Sequence, residues 1–255
     1  MRKLLASILI FFLCAMSVTA QIEIVLGNPS NAAASDPNNF LVIHTGYILS
    51  YNKQRGAANW VMWHVQSSDL GGLDRSNAFA PDALLPPNSQ IKPQDYIGSG
   101  YDKGHLCPSG DRTSSPGANI ETFLMSNMSP QTAKLNRQTW KSLEDYTRAE
   151  IKKKQESYII AGCYGNAGRI KKKITIPTNC FKIVILLPEG TNDLARITAK
   201  TRVIAVDIPN SISVDSNWKL FRTTVDAIEL STGFDFFTKI PNDIEKILEA
   251  KTDSQ

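Results

Sequence analysis

Asp102, Lys103, Gly104 and His105 place a carboxylate, a cation, a flexible backbone position and one of the chain's three histidines in four consecutive residues. Histidine has the unperturbed pKa nearest neutrality, so His105 can take a proton from water at physiological pH if its neighbours hold and orient it. Lys103 offers a point charge suited to a phosphate, and Asp102 can orient a neighbour or bind a cation. Gly104 lets the backbone bend or approach a ligand closely. Taken alone, such a string also describes a polar turn between two strands. The residues about thirty positions further on decide between the two readings.

Those residues open the strongest helical pattern in the chain, running from Leu135 towards Tyr158. Trp140, Leu143, Thr147 and Ile151 recur at three- and four-residue steps and predict a buried stripe. Asn136, Glu144 and Arg148 are spaced by eight and four. At about 3.6 residues per turn, all three project on or beside that same face. An amide, a carboxylate and a guanidinium near the inward side of a helix need partners. Either they cap and pair locally, or they line a polar site beside the core.

The elements that must position this site read as a mixed fold. Phe40–Tyr51, with Gly46 as a bend, and Asn59–Val65 predict a hairpin, and place His44 and His64 as structural histidines within apolar strands. Ser67–Pro93 is a long surface loop with Arg75 in its middle. Glu121–Gln131 reads as a strand breaking at Pro130. Ser157–Gly162, Phe181–Leu187 and Ala199–Ile208 are central-strand candidates, and Phe221–Leu230, stopping at Gly233, and Asp243–Lys251 are short helices before a frayed tail. Lys152, Lys153 and Lys154 with Lys171, Lys172 and Lys173 form basic runs that suit either a solvated face or a nucleic-acid track.

Composition bounds the setting. At 255 residues there is enough apolar sequence for a sizeable core. Arg2 and Lys3, an uncharged apolar run from Leu4 to Val18, and Thr19-Ala20 predict a secretory signal cleaved after Ala20. The run is too short for a membrane span, and no later stretch approaches that length. Residues 21–39, rich in Asn, Ala, Ser and Pro, read as a loosely held arm, and 40–255 as one domain. Removing the signal takes away two cations and no acid, which lowers the formal net charge from +4 to +2. Overall charge therefore makes no case for nucleic acid. Of the cysteines left, Cys107, Cys163 and Cys180, the last two end and begin strand-like runs, which favours their pairing among three possibilities.

Asp102-Lys-Gly-His105, Ser126-Asn-Met-Ser-Pro-Gln131, Leu135-Asn-Arg-Gln-Thr-Trp140 and Leu143-Glu144, in that order and spacing, resemble the DNA/RNA non-specific endonuclease family, extracellular nucleases of the ββα-metal class. Asn59-Trp-Val, Ile176-Pro-Thr and Phe221-Arg-Thr-Thr-Val-Asp extend the likeness over most of the chain. The resemblance implies an α+β fold: a central, largely antiparallel sheet flanked by helices, with a ββα-metal unit at the site. It implies His105 as general base, Asn136 as the direct ligand of Mg2+ (with Mn2+ as a substitute), and Glu144 holding that ion's water shell. Arg75, Lys103 and Arg148 would neutralise phosphate, with Asp102 and Asn127 in support. Lys152, Lys153, Lys171 and Lys172 would contact the DNA or RNA substrate.

One position departs from the family, since Lys103 stands where many relatives carry arginine and loses the planar fork that grips two phosphate oxygens. The implied protein is a secreted or periplasmic endonuclease, monomeric or homodimeric and off the membrane once processed. The competing readings are a nucleic-acid binder that has lost the chemistry and a phosphodiesterase acting on small nucleotides.

Overall fold

The computed structural model describes residues 25–255, so the signal segment lies outside the described residues. The strands are β1 (Phe40–Ile43), β2 (Ile48–Asn52), β3 (Ala57–Val65), β4 (Asp102–His105), β5 (Met128–Gln131), β6 (Gln155–Tyr164), β7 (Arg169–Ile170), β8 (Ile174–Thr175), β9 (Asn179–Pro188), β10 (Arg202–Pro209) and β11 (Arg222–Thr223). The helices are α1 (Pro116–Glu121), α2 (Lys141–Ile151), α3 (Asp193–Arg196), α4 (Val225–Thr232) and α5 (Asn242–Glu249). A seven-stranded sheet runs in the order β1-β2-β3-β6-β9-β10-β11, every pairing antiparallel. Two small ribbons, β4–β5 and β7–β8, stand apart from it.

Period-two alternation divides the sheet between two cores. Val61, Trp63 and Val65 of β3 face a cluster that holds Trp140, Leu143 and Ile151, while Trp60 and Met62 face one that holds Val225, Ile228, Phe236, Phe237 and Leu248. The helix stripe expected from sequence, Trp140, Leu143, Thr147 and Ile151, is buried. On β9, Cys180, Lys182 and Val184 point to the α2 side of the sheet, and Lys182 is 2 % exposed.

Cys163 and Cys180 lie opposite one another in the β6–β9 register and are bonded to each other. On the loop-entropy account this contributes about 3 kcal/mol, mostly by restricting the unfolded chain. Cys107 is fully buried.

Several elements depart from the sequence reading. The expected strand from Phe40 to Tyr51 is two strands, turning around Gly46, whose carbonyl accepts hydrogen bonds from Arg112. Glu121–Gln131 is mostly not strand. It holds the end of α1 and a turn at Met125–Asn127, and only Met128–Gln131 is extended, with Pro130 inside the strand. A two-stranded ribbon leaves each strand one unpaired edge, which is where proline is tolerated. The helix stops at Ile151, because Gln155 onward pairs into the sheet.

The described part of the arm is not loose. Leu26 is fully buried, Asn28 brackets Ala32 with two side-chain hydrogen bonds, and Trp60 Nε1 donates to Ser30 Oγ at 2.8 Å. Nor is the tail frayed: Arg202 Nε and Nη2 donate to the two carboxylate oxygens of Asp253 at 2.8 and 2.9 Å. Gly233 ends α4 in the left-handed region at φ 73°, the stop the sequence predicts.

Candidate active site

The ribbon sets His105 against Met128 and Asp102 against Gln131. A Cβ at Gly104 would stand 2.2 Å from Gln131 Oε1, so any larger residue there would have to displace that buried side chain. The ribbon leads directly into a helix whose first stretch, Leu135–Trp140, is wound as a π-helix before α2 continues it. Such wide turns recur at functional sites because they rotate one side chain off the regular face. Here that stretch carries Asn136.

Arg75, His105, Asn136, Glu144 and Arg148 all line one cavity of about 400 Å³, together with Pro108, Gly110, Arg137, Lys141 and Asp145. The residues expected to act together are thus brought together from a loop, a strand and a helix. His105 is 7 % exposed and packed edge-on against Phe123 at 4.8 Å, with Phe79 at 5.8 Å. Its backbone carbonyl accepts from Trp140 Nε1 at 3.1 Å. Nε2 has no hydrogen-bond partner among the described residues. Burial, reinforced by Arg75 and Lys103, lowers the imidazole pKa to about 3, so the ring is neutral at pH 7 and able to accept a proton.

Asp102 accepts from Asn136 Nδ2 at 2.9 Å and from Arg137 Nε and Nη2 at 2.8 and 2.7 Å. Its hydrogen bond to Arg137 is the main cause of a carboxyl pKa below the usual range. A carboxylate can only accept, so Asn136 must turn its amino group to Asp102, and its carbonyl oxygen is left for another partner. Asn127, fully buried, accepts from the Cys107 N–H at 2.9 Å and donates to the carbonyls of Cys107 and Thr122, each at 2.8 Å. It clamps the turn that follows His105.

Arg148 donates to Asp111 at 2.9 Å and to Asp145 at 2.7 Å. Although burial opposes its charge, Asp111 and Glu144 hold the guanidinium pKa above its ordinary value. Asp111 in turn accepts from Trp63 Nε1 at 2.9 Å, so the anchor is itself anchored. Glu144 lies 3.5 Å from Lys182 Nζ, which sits 4.2 Å over the Trp140 ring. Burial pushes Glu144 up and Lys182 down, each opposed by the other's charge.

Asp111, Lys182, Arg137, Lys141 and Asp145 were not singled out from sequence. The signal for Lys182 was a lone cation in the apolar run of β9, and Asp111 follows His105 by six residues.

Other expected residues stand apart. Lys103 does not line the cavity and lies 4.7 Å over the Phe79 ring, while Arg75 lies 4.9 Å over Phe123. Lys152 and Lys153 extend past α2, with Lys153 paired to Glu150. Lys171 donates to the Gln94 carbonyl, and Lys172 lines a different cavity with Arg169 and Lys173. None of Lys152, Lys153, Lys171 and Lys172 lines the cavity that holds His105. His44 and His64 are buried and likewise outside the cavity.

Comparison with known proteins gives this geometry a family. The nuclease of Nostoc sp. is 43 % identical over 94 % of this chain and 89 % of its own length. The mitochondrial endonuclease G of Caenorhabditis elegans is 32 % identical over 80 % of this chain and 70 % of its own. Among solved structures, the EndoG/EndoGI complex contains a chain that superposes with a TM-score of 0.74 at 25 % identity, covering 89 % of this chain and 94 % of that one. The ribbon and the helix that follows it are thus the ββα-metal unit of an α+β nuclease fold. With residues 29–243 matching its description, the chain belongs to the DNA/RNA non-specific endonuclease family.

Proposed function

We propose that this nuclease is an exported, magnesium-dependent endonuclease that hydrolyses DNA and RNA with little regard to sequence and leaves 5′-phosphate ends. The observation that carries the reading is the single cavity into which His105, Asn136, Glu144, Arg75 and Arg148 converge. Asn136 and Glu144 supply oxygen donors only, and Asp102 leaves the Asn136 carbonyl available, which fits a hard cation that keeps most of its waters. When bound, such an ion offsets negative charge on the phosphate and the departing oxygen.

The chain's own residues supply the rest. A ring nitrogen of His105 takes the proton of a water as the water's oxygen bonds to phosphorus; the bond from phosphorus to the 3′ oxygen breaks, and that oxygen is protonated from solvent. Arg148, fixed by Asp111 and Asp145, faces the phosphate with a guanidinium that keeps its charge at any working pH. Burial, with Arg75 and Lys103 adding to it, holds His105 neutral, and a phosphate that offsets the two cations raises the basicity of the imidazole where it is needed. None of these groups is arranged to read a base edge, and phosphate contacts carry no sequence information.

Export is supported by the Cys163–Cys180 bond, which suits an oxidising compartment, and by the leader read from sequence. No helix of the described residues is long and apolar enough to cross a membrane.

Supercoiled plasmid and total RNA, incubated with Mg2+ or with chelator beside His105→Ala, test the reading. Both substrates are expected to be degraded only with metal, with the variant slower by about 10³-fold while still shifting DNA on a gel. A variant as active as the parent would remove His105 from its role. A protein that shifts DNA but cuts nothing would be a binder.

A further inference from the structure

On the far side of the sheet from the active site, five carboxylates gather between α4 and α5. Asp226 and Glu229 come from α4, Asp235 from the segment after it, and Glu245 and Glu249 from α5. Asp226, Glu229 and Glu249 each bring an oxygen within 4.8 Å of the others, and Asp235, Glu245 and Glu249 do the same, so Glu249 belongs to both trios. Among the described residues none of the five forms an ion pair.

Glu249 is 7 % exposed, and its Oε1 has no hydrogen-bond partner among the described residues. Glu229 accepts from the Phe236 N–H at 2.8 Å through Oε1, which leaves Oε2 for a ligand. A buried carboxylate beside four others, with an oxygen unsatisfied, is an arrangement that folding strongly disfavours unless something compensates it. Burial, then Glu229 and Glu245, push its carboxyl up to about 8. Protonating Glu249 removes one negative charge of five. A divalent cation offsets two and gives the orphaned oxygen a partner.

We propose that α4 and α5 build a structural calcium site from the carboxylates of Asp226, Glu229 and Glu249, separate from the catalytic centre, with Asp235 and Glu245 adding negative charge on the other side of Glu249. The donors are all oxygens, which excludes a preference for the softer metals held by thiolate and imidazole. Carboxylates drawn from two helices suit an ion that accepts about six to eight ligands in flexible geometry and fills the rest with water. They suit less well one that demands a strict octahedron and keeps its waters. The site would tie α4 to α5 over the core that contains Phe236, Phe237 and Leu248.

The test is the melting midpoint of the intact protein, stripped with chelator and titrated with CaCl2 or MgCl2. Calcium at about a hundredfold excess over its dissociation constant is expected to raise the midpoint by roughly 5 °C or more. The rise should persist in Asn136→Ala, which lacks the proposed catalytic ligand, and the calcium affinity should fall at least tenfold in Glu249→Gln and in the exposed Asp226→Asn. No rise in the parent, an equal rise in Glu249→Gln, or loss of the rise in Asn136→Ala would overturn the site. Magnesium as effective as calcium would overturn its assignment to calcium.

Discussion

The two faces of the central sheet treat charge in opposite ways. On the α2 side, Asp102 is held by Arg137, Arg148 by Asp111 and Asp145, and Glu144 by Lys182. Beside these pairs, the Asn136 carbonyl and the His105 Nε2 are left without a hydrogen-bond partner among the described residues. On the α4–α5 side, five carboxylates gather around Glu249 and, among the described residues, none of them forms an ion pair. Orientation explains the difference. A site that must stabilise a developing charge needs its dipoles fixed before substrate arrives, and internal ion pairs do that. A site that only has to hold two helices together can leave its charge unanswered and let an ion complete it.

The comparison breaks most visibly at the amide on which the α2 side depends. Asn136→Ala is expected to lower turnover by about 10²-fold or more at fixed Mg2+, partly restored at high metal, because the change would remove the proposed ligand. A metal titration that superposes on that of the parent would place the ligand elsewhere.

A smaller effect is expected one shell further out. Asp111→Asn keeps the shape but removes the charge that fixes Arg148, and kcat/KM should fall by about tenfold on every sequence alike. A loss confined to particular sites would contradict a phosphate role for Arg148.

On the other face, the expected change is in stability alone. Glu249 binds its proton more tightly folded than unfolded, so its contribution is full below the ordinary value of 4.5 and is lost as pH rises through about 8. In chelator, the denaturation midpoint of the parent should therefore drop between about pH 5 and pH 8. Glu249→Gln should flatten the drop without changing nuclease activity. Parallel pH curves for the two proteins would mean that Glu249 does not carry the effect.

Sequence carried most of the catalytic face and little of the other. Asp102, His105, Asn136, Glu144 and Arg148 lie in short runs whose spacing survives folding, because a tight ribbon and one helix are local structures. The arm, the tail and Lys182 were obscured for a shared reason: each owes its place to residues far along the chain. Leu26 is buried in the core with Phe236 and Phe237, Asp253 is held by Arg202, and Lys182 meets Glu144 across 38 residues. The π-helix at Leu135–Trp140 leaves no mark in a pattern read at regular helical spacing. The carboxylates of α4 and α5 pass in sequence for ordinary solvated faces, and it is the packing of the two helices against each other that crowds them.

The clasped C-terminus has a practical side. Arg202, which grips Asp253, also donates to the Tyr146 hydroxyl at 2.8 Å, and Tyr146 sits on α2 between Glu144 and Arg148. The Asp253 carboxylate is therefore wired to the helix that carries Glu144 and Arg148. Losing that carboxylate, as in Asp253→Ala, would cut the tether.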